Sequence, residues 1–590
     1  MRRFIIGFFT VIGALVTLLV VLSVVAGLVG MLGRGSVADN TVLTLDLTSA
    51  LPEAPVTDPI ASALGPETPT LRDVLDALER GGDDPRVKGV FVRLGDEGIG
   101  TAQAQELRDA IAQFRAKGKF AIAYADTFGE FNTGTHAYYL ASAFDQIWLQ
   151  PLGTLGLTGL MAATPFIRGT LDKLAIEPSF DHRSEYKTAM NEITERHMTA
   201  PHREEAEALV QSVYGQIVRG IAEGRHLSEA DVRALIDHGP LLTHEALDAR
   251  LVDRVGYRDQ AEGEAKERAG SDAKLISLAR YLGRAGHPHR SGPTIALVYG
   301  TGLILRGGSS DGLLASANTM GADTLRRAFD DASRDKAVRA ILFRIDSPGG
   351  SAIASETIWQ AVNRAHERGK PVIVSMGNVA GSGGYYVAAP ADKIVAEPAT
   401  LTGSIGVFAG KFVTAGLWDK LGITWDTVDA GANADMFSSL QDFSPAEHER
   451  FEAFLDATYE GFKDRVARGR HLDLAKVEEV AKGRVWTGEE AKARGLVDEL
   501  GGFNAALALA KEAAKIPADQ DVTLKLFPRP ETASEFIVRL LLGGDEDRDQ
   551  ADTRGGTLSA ALEQLRLALR QAQYAALPPG SLAMPPLQGP

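Results

Sequence analysis

Three short stretches carry the residue types of hydrolytic chemistry. "ATLTGSIGVFAG", Ala399–Gly410, sets Ser404 between glycines directly after an apolar run that ends in "IVAEP". A serine so placed is either a nucleophile or a small residue in a tight turn. The usual activator is a histidine held by a carboxylate; no such pair flanks Ser404, so an activator must come from elsewhere in the chain. A lysine amine can serve where burial lowers its pKa, the Ser-Lys variant of the triad. From an unperturbed pKa of about 10.4, deprotonation at neutral pH costs roughly 4 kcal/mol, a shift that an apolar pocket provides and an exposed site does not. "SEYKTAMN" offers Lys187. "RIDSPGGSAI", Arg344–Ile353, adds Gly349 and Gly350 between a strand-like run and a helical one, where bare backbone amides can meet a developing oxyanion. A phosphate cradle would use the same geometry, but the P-loop lysine pattern is missing.

Lys187 and Ser404 stand out because the body of the chain is written twice. "TVLTLDL" at Thr41 is answered by "TIALVYG" at Thr294. "DPRVKGVFVRL" from Asp84 matches "DKAVRAILFRI" from Asp335, and "KGKFAIAYAD" from Lys117 matches "RGKPVIVSMG" from Arg368, both at an offset of 251. "YYLASAFDQIWLQP" from Tyr138 matches "YYVAAPADKIVAEP" from Tyr385 at 247; "EGRHLS" at Glu223 and "LVD" at Leu251 match "RGRHLD" at Arg468 and "LVD" at Leu496 at 245. The period is too long for a solenoid and indicates a duplicated domain.

Each half then serves as a control for the other. At the 247 offset "GLTGL", Gly156–Leu160, lies against "GSIGV", Gly403–Val407: the glycines persist and Leu157 stands opposite Ser404. The turn needs its glycines but not its serine. The same offset sets Lys187 against Ala434, so one half holds the lysine without the serine and the other the serine without the lysine. "RLGDEGIGTA" lacks the double glycine of its counterpart.

Within each half, short β-branched runs such as "GVFVRL" alternate with segments such as "AQELRDAIAQFRAKG" that repeat apolar residues at helical spacing. This predicts two tandem α/β domains of parallel βαβ units. The expected layout is an N-terminal stub and membrane anchor over 1–36, a lysine-bearing domain over 37–260, a polar connector over 261–293, a serine-bearing domain over 294–515, and a tail over 516–590. In the tail, "SEFIVRLLLGG" and "LSAALEQLRLALRQAQ" read as amphipathic packing helices and "LPPGSLAMPPLQGP" as disordered.

The composition narrows the chemistry. A chain of 590 residues, 45% of them hydrophobic, has material for two cores. With 77 acidic against 62 basic residues and a formal charge of -15, it would repel a nucleic-acid backbone. The absence of cysteine excludes disulfides, thiolate catalysis and thiolate-bound metals, and the 12 histidines show no HExxH-type spacing, so no metal or cofactor is expected. Between "MRR" and Arg34, Phe4 to Leu32 carries no charge, longer than the roughly 20 residues that span a bilayer and than the core of a cleaved signal peptide, although "SVADN" offers a small-x-small cleavage site. Arg2 and Arg3 before this run keep the N-terminus cytoplasmic and put the body on the far side, the periplasmic or outer face of a bacterial inner membrane.

Together "DSPGGS" at Asp346, "GSGGYYVAA" at Gly381, "TGSIGVF" at Thr402 and "EYKTAMN" at Glu185, with the lysine half preceding the serine half, resemble the long, duplicated form of bacterial signal peptide peptidase, the SppA or protease IV family. The resemblance implies a crotonase-like or ClpP-like α/β fold, a membrane-anchored serine endopeptidase with a Ser-Lys dyad, and a bowl-shaped homotetramer that degrades signal peptides left in the membrane. Carried over by motif, it makes Ser404 the nucleophile, Lys187 the general base and Gly350 with Gly349 the oxyanion hole, helped by the amide after Ser404. Ser347, Ser351 and Ser382 also lie near glycines. Ser382, in "AGSGGYY", is the serious rival, since the ClpP branch uses a serine at a nearby turn; here it is expected to start a helix. Two other readings use the same parts: a crotonase-like acyl-CoA enzyme, and a non-catalytic scaffold descended from a peptidase.

Overall fold

The computed structural model describes residues 36–56, 68–95, 99–270, 272–310 and 318–529. The expected N-terminal anchor and the amphipathic and proline-rich tail stretches lie outside the described residues. Among the described residues, no helix is long and apolar enough to cross a membrane.

Both halves are α/β, and their sheets share one strand order. In the first, Arg254–Val255, Gln146–Leu149, Phe120–Ala125, Val87–Leu94, Thr41–Leu47 and Lys274–Ser277 lie side by side, all parallel. In the second the corresponding order is Glu499–Leu500, Lys393–Ala396, Val372–Gly381, Val338–Ser347, Thr294–Thr301 and Thr523–Phe527. Near-continuous apolar strands such as "VKGVFVRL" are buried on both faces, as parallel strands covered by helices require. Correspondence extends to helix ends. Ala200–Arg225 starts behind the cap Thr199 and stops at left-handed His226; Pro445–Arg470 starts behind Ser444 and stops at left-handed His471.

These strands carry each repeat past the boundaries expected at 260 and 515. Helix Arg258–Ala269 and strand Lys274–Ser277, within the stretch read as a connector, occupy the places that Phe503–Ala513 and Thr523–Phe527 hold in the second half. The helix escapes detection because it buries only Ala261, Ala265 and Ala269, against Val42, Phe91, Ile122, Tyr124 and Trp148 of the sheet. A stripe of alanines among charged residues does not register as an apolar face.

The halves share one core. Phe503, Ala506, Leu507 and Ala510 pack into the apolar cluster of helices Leu71–Asp83 and Thr101–Ala116, which continues into one face of the second sheet through Leu297, Leu342 and Ile373. Across this contact Arg344, 1% exposed, is held by Glu53 at 2.5 Å, Glu106 at 2.8 Å and the Ser375 hydroxyl at 2.7 Å. Glu106 also accepts from the Phe503 amide at 2.5 Å. Arg344 belongs to the strand that ends at Ser347, three residues before Gly350, so the first half grips the second close to its glycine turn.

Candidate active site

A parallel register brings two serines side by side. The far end of strand Val372–Gly381 pairs with Leu401–Gly403, Gly381 opposite Gly403, so that Ser382 and Ser404 leave adjacent strands together. The Ser382 amide donates to Gly403 O at 2.9 Å and the Ser404 amide to Arg484 O at 2.8 Å. Both serines have positive φ, +52° and +51°, which a non-glycine residue adopts only when its surroundings hold it there.

Lysine arrives from the other half on a two-stranded ribbon. Glu177–Arg183 of the first half pairs antiparallel with Val407–Val413 of the second, Arg183 opposite Val407, and Lys187 follows four residues on. Its backbone passes so close to Gly483 that a Cβ there would lie 2.4 Å from the Lys187 nitrogen; Gly483 also has φ +79°. Nothing in the sequence marks this glycine, since His238 occupies its place in the first half at the 245 offset.

The amine of Lys187 reaches three acceptors: Ser404 Oγ at 2.9 Å, Ser404 O at 2.9 Å and Ser382 Oγ at 3.1 Å. The residue is 4% exposed. Burial pulls its pKa down to about 8, and Glu205 is the one charge that acts in the opposite direction.

The glycine turn faces this cluster. Gly349 and Gly350 have φ of +104° and +150°, and a Cβ on either would strike backbone, 2.7 Å from Gly383 N and 2.2 Å from Ile304 O respectively. The Gly349 amide donates to Ser347 Oγ at 3.1 Å. Gly350 and Gly383 border a cavity together with Lys187 and Ser382, and the apolar part of its wall includes Tyr386 and Phe462. Gly383 opens helix Gly383–Ala388, where a first-turn amide has no helical partner. The structure therefore brings Lys187, Ser404, Ser382 and Gly350 into one site, with Gly349 shaping the turn through its backbone and Gly383 joining as a residue that sequence reasoning did not select. Its signal was present: Gly383-Gly384 stands where the first half has His136-Ala137.

The sequence profile of Peptidase family S49 matches residues 113–272 and 364–517, one segment in each half. The chain belongs to peptidase family S49. This S49 chain is 33% identical over 467 residues to the serine protease SPPA, chloroplastic, of Arabidopsis thaliana, an alignment spanning 77% of this chain and 67% of that protein. It is 30% identical to protease 4 of Salmonella typhi, over 82% of this chain and 81% of the relative, and 31% identical to protease 4 of Haemophilus influenzae, over 84% and 80%. An SppA-type serine peptidase accounts for a site in which two serine hydroxyls share a buried amine.

Proposed function

We propose that the protein is an endopeptidase in which Ser382 is the nucleophile, Lys187 the general base, and Ser404, favoured from the sequence, the residue that holds the base in place. The observation that carries this reading is the place of Ser382: it lines the cavity with Gly350 and Gly383, and a Cβ added to Gly349 would lie 2.8 Å from its own, so it stands against the glycine turn. Proton bookkeeping allows it. A neutral amine has two hydrogens and one lone pair. Ser404 O can only accept, so Lys187 donates one hydrogen there and the other to one hydroxyl, leaving its lone pair for the proton of the remaining hydroxyl. Either hydroxyl can fill that role; in this reading Ser404 accepts through both its oxygens and the lone pair takes the proton of Ser382.

The steps follow. Ser382 Oγ loses its proton to Lys187 Nζ and attacks the peptide carbonyl carbon; the oxyanion is met by the Gly350 and Gly383 amides. The Lys187 ammonium then gives that proton to the leaving amine as the C–N bond breaks. A water enters and gives a proton to Lys187 as its oxygen attacks the acyl carbon; the bond to Ser382 Oγ breaks, the Lys187 ammonium returns the proton to Oγ, and the acyl group leaves as a carboxylic acid. Apolar walls around Tyr386 and Phe462 favour an apolar substrate side chain. An N-terminal run without charge and the resemblance of the sequence support anchoring in the bacterial inner membrane, catalysis on the periplasmic side, cleaved signal peptides as substrates and a homotetrameric assembly.

The test is incubation of the full-length chain with an unstructured apolar peptide. Internal cleavage by wild type, lost in Lys187→Ala, is the expected result. Hydrolysis of an acyl-CoA thioester without peptide cleavage would overturn it. The pH dependence supplies a further check. Lys187 accepts a proton only when neutral, so kcat/KM is expected to rise about tenfold per pH unit on the acid side and to level off above a pH of about 8. A flat profile between pH 6 and 9 would remove Lys187 as the base.

A further inference from the structure

We propose that Glu205 is a positioning residue of this site: from helix Ala200–Arg225 of the first half it ties the lysine-bearing loop to the serine-bearing sheet and supplies the negative charge that tunes the base. The proposal rests on the reading of Lys187 as that base. Glu205 is 5% exposed. One carboxylate oxygen accepts from the Val485 amide at 2.6 Å and the other from the Thr188 hydroxyl at 3.2 Å. Thr188 is the neighbour of Lys187, and Val485 belongs to strand Val485–Thr487, which pairs with Leu401–Gly403 immediately before Ser404. One side chain therefore spans from the residue beside the base to the strand that delivers Ser404.

The duplication shows that this is not a demand of the fold. At the 245 offset the equivalent helix Pro445–Arg470 carries Arg450, exposed, in the half that has no lysine. Burial pushes the pKa of the Glu205 carboxyl up, while the Val485 and Thr188 hydrogen bonds and the charges of Arg484 and Lys187 hold it toward the ionised form; the remaining charges are paired nearby. Arg484 pairs with Glu204 at 2.8 Å and lies over the Tyr186 ring, Tyr186 donates to Glu204 at 2.9 Å, and Glu185 pairs with Lys482 at 3.2 Å. Glu205 is the carboxylate left to act on the amine. Its charge favours the ammonium form, so it holds Lys187 above the value that burial alone would set and keeps it a stronger base.

The experiment is the pH profile of kcat/KM on the apolar peptide for wild type, Glu205→Gln and Glu205→Ala, with Lys187→Ala as control. Glutamine keeps an oxygen for the Val485 amide and an NH2 for Thr188 while removing the charge. Its acid limb is expected to move down by about 0.5 to 1 pH unit with the plateau within about threefold of wild type. Alanine removes the tie as well and is expected to lower the plateau at least about tenfold. If the Glu205→Gln limb coincides with wild type while Lys187→Ala is inactive, the role of Glu205 is wrong. If Lys187→Ala keeps wild-type turnover, the base assignment itself fails, and the Glu205 proposal falls with it.

Discussion

Ser382→Ala is expected to lower kcat/KM on an apolar peptide by about a thousandfold or more, because it removes the atom that forms the acyl-enzyme. Ser404→Ala is expected to cost less, about 10- to 100-fold, because the amine keeps Ser404 O and loses one hydrogen bond that orients it. The loss should appear in kcat rather than KM, since neither hydroxyl is needed to bind the peptide. Labelling with a serine-directed fluorophosphonate followed by peptide mass spectrometry gives a readout independent of turnover: the adduct belongs on Ser382 and should vanish in Lys187→Ala. An adduct on Ser404, or a Ser382→Ala enzyme as active as wild type, would exchange the two roles.

The second large effect concerns the joint between the halves. Arg344→Ala leaves Glu53 and Glu106 buried without their shared cation. Breaking a buried ion pair from one side costs about 3 to 5 kcal/mol, far more than the pair contributes over an apolar replacement. A melting temperature lower by about 3 to 5 °C in a thermal unfolding scan is expected. Arg344→Met combined with Glu53→Gln and Glu106→Gln should recover much of the loss, because no charge is then left stranded. A single Arg344→Ala variant that melts within a degree or two of wild type would mean that water reaches the carboxylates and that the joint is held by the apolar contacts of Phe503 and Leu507 alone.

The halves and their βαβ character were legible in the sequence, because duplication preserves periodicity and makes a departure at Lys187 or Ser404 visible. The comparison that exposed Ser404 also concealed Ser382. At the 247 offset Ser382 faces Thr135, a hydroxyl in both halves, which reads as scaffold. In the first half Thr135 is indeed structural: its hydroxyl donates to Gly159 O at 3.0 Å. What differs is the backbone after it, where glycines replace His136 and Ala137 so that an amide can approach a substrate. The connector was misjudged for a different reason, since helix Arg258–Ala269 packs through methyl groups too small to create an apolar stripe. Gly483 and Glu205 left no mark because their importance comes from neighbours nearly 300 and 280 positions away in the chain, Lys187 and Val485 respectively.

Division of the site between the two halves also orders its birth. On the ribosome Lys187 is made first, the serines about two hundred residues later, and Gly483–Thr487, which closes the loop around the amine, later still. Until that last segment has emerged and folded against Leu401–Gly403, the amine lacks the burial that lowers its pKa. A growing chain, or one cut short before Gly483, therefore holds the lysine and both serines without the segment that encloses the amine.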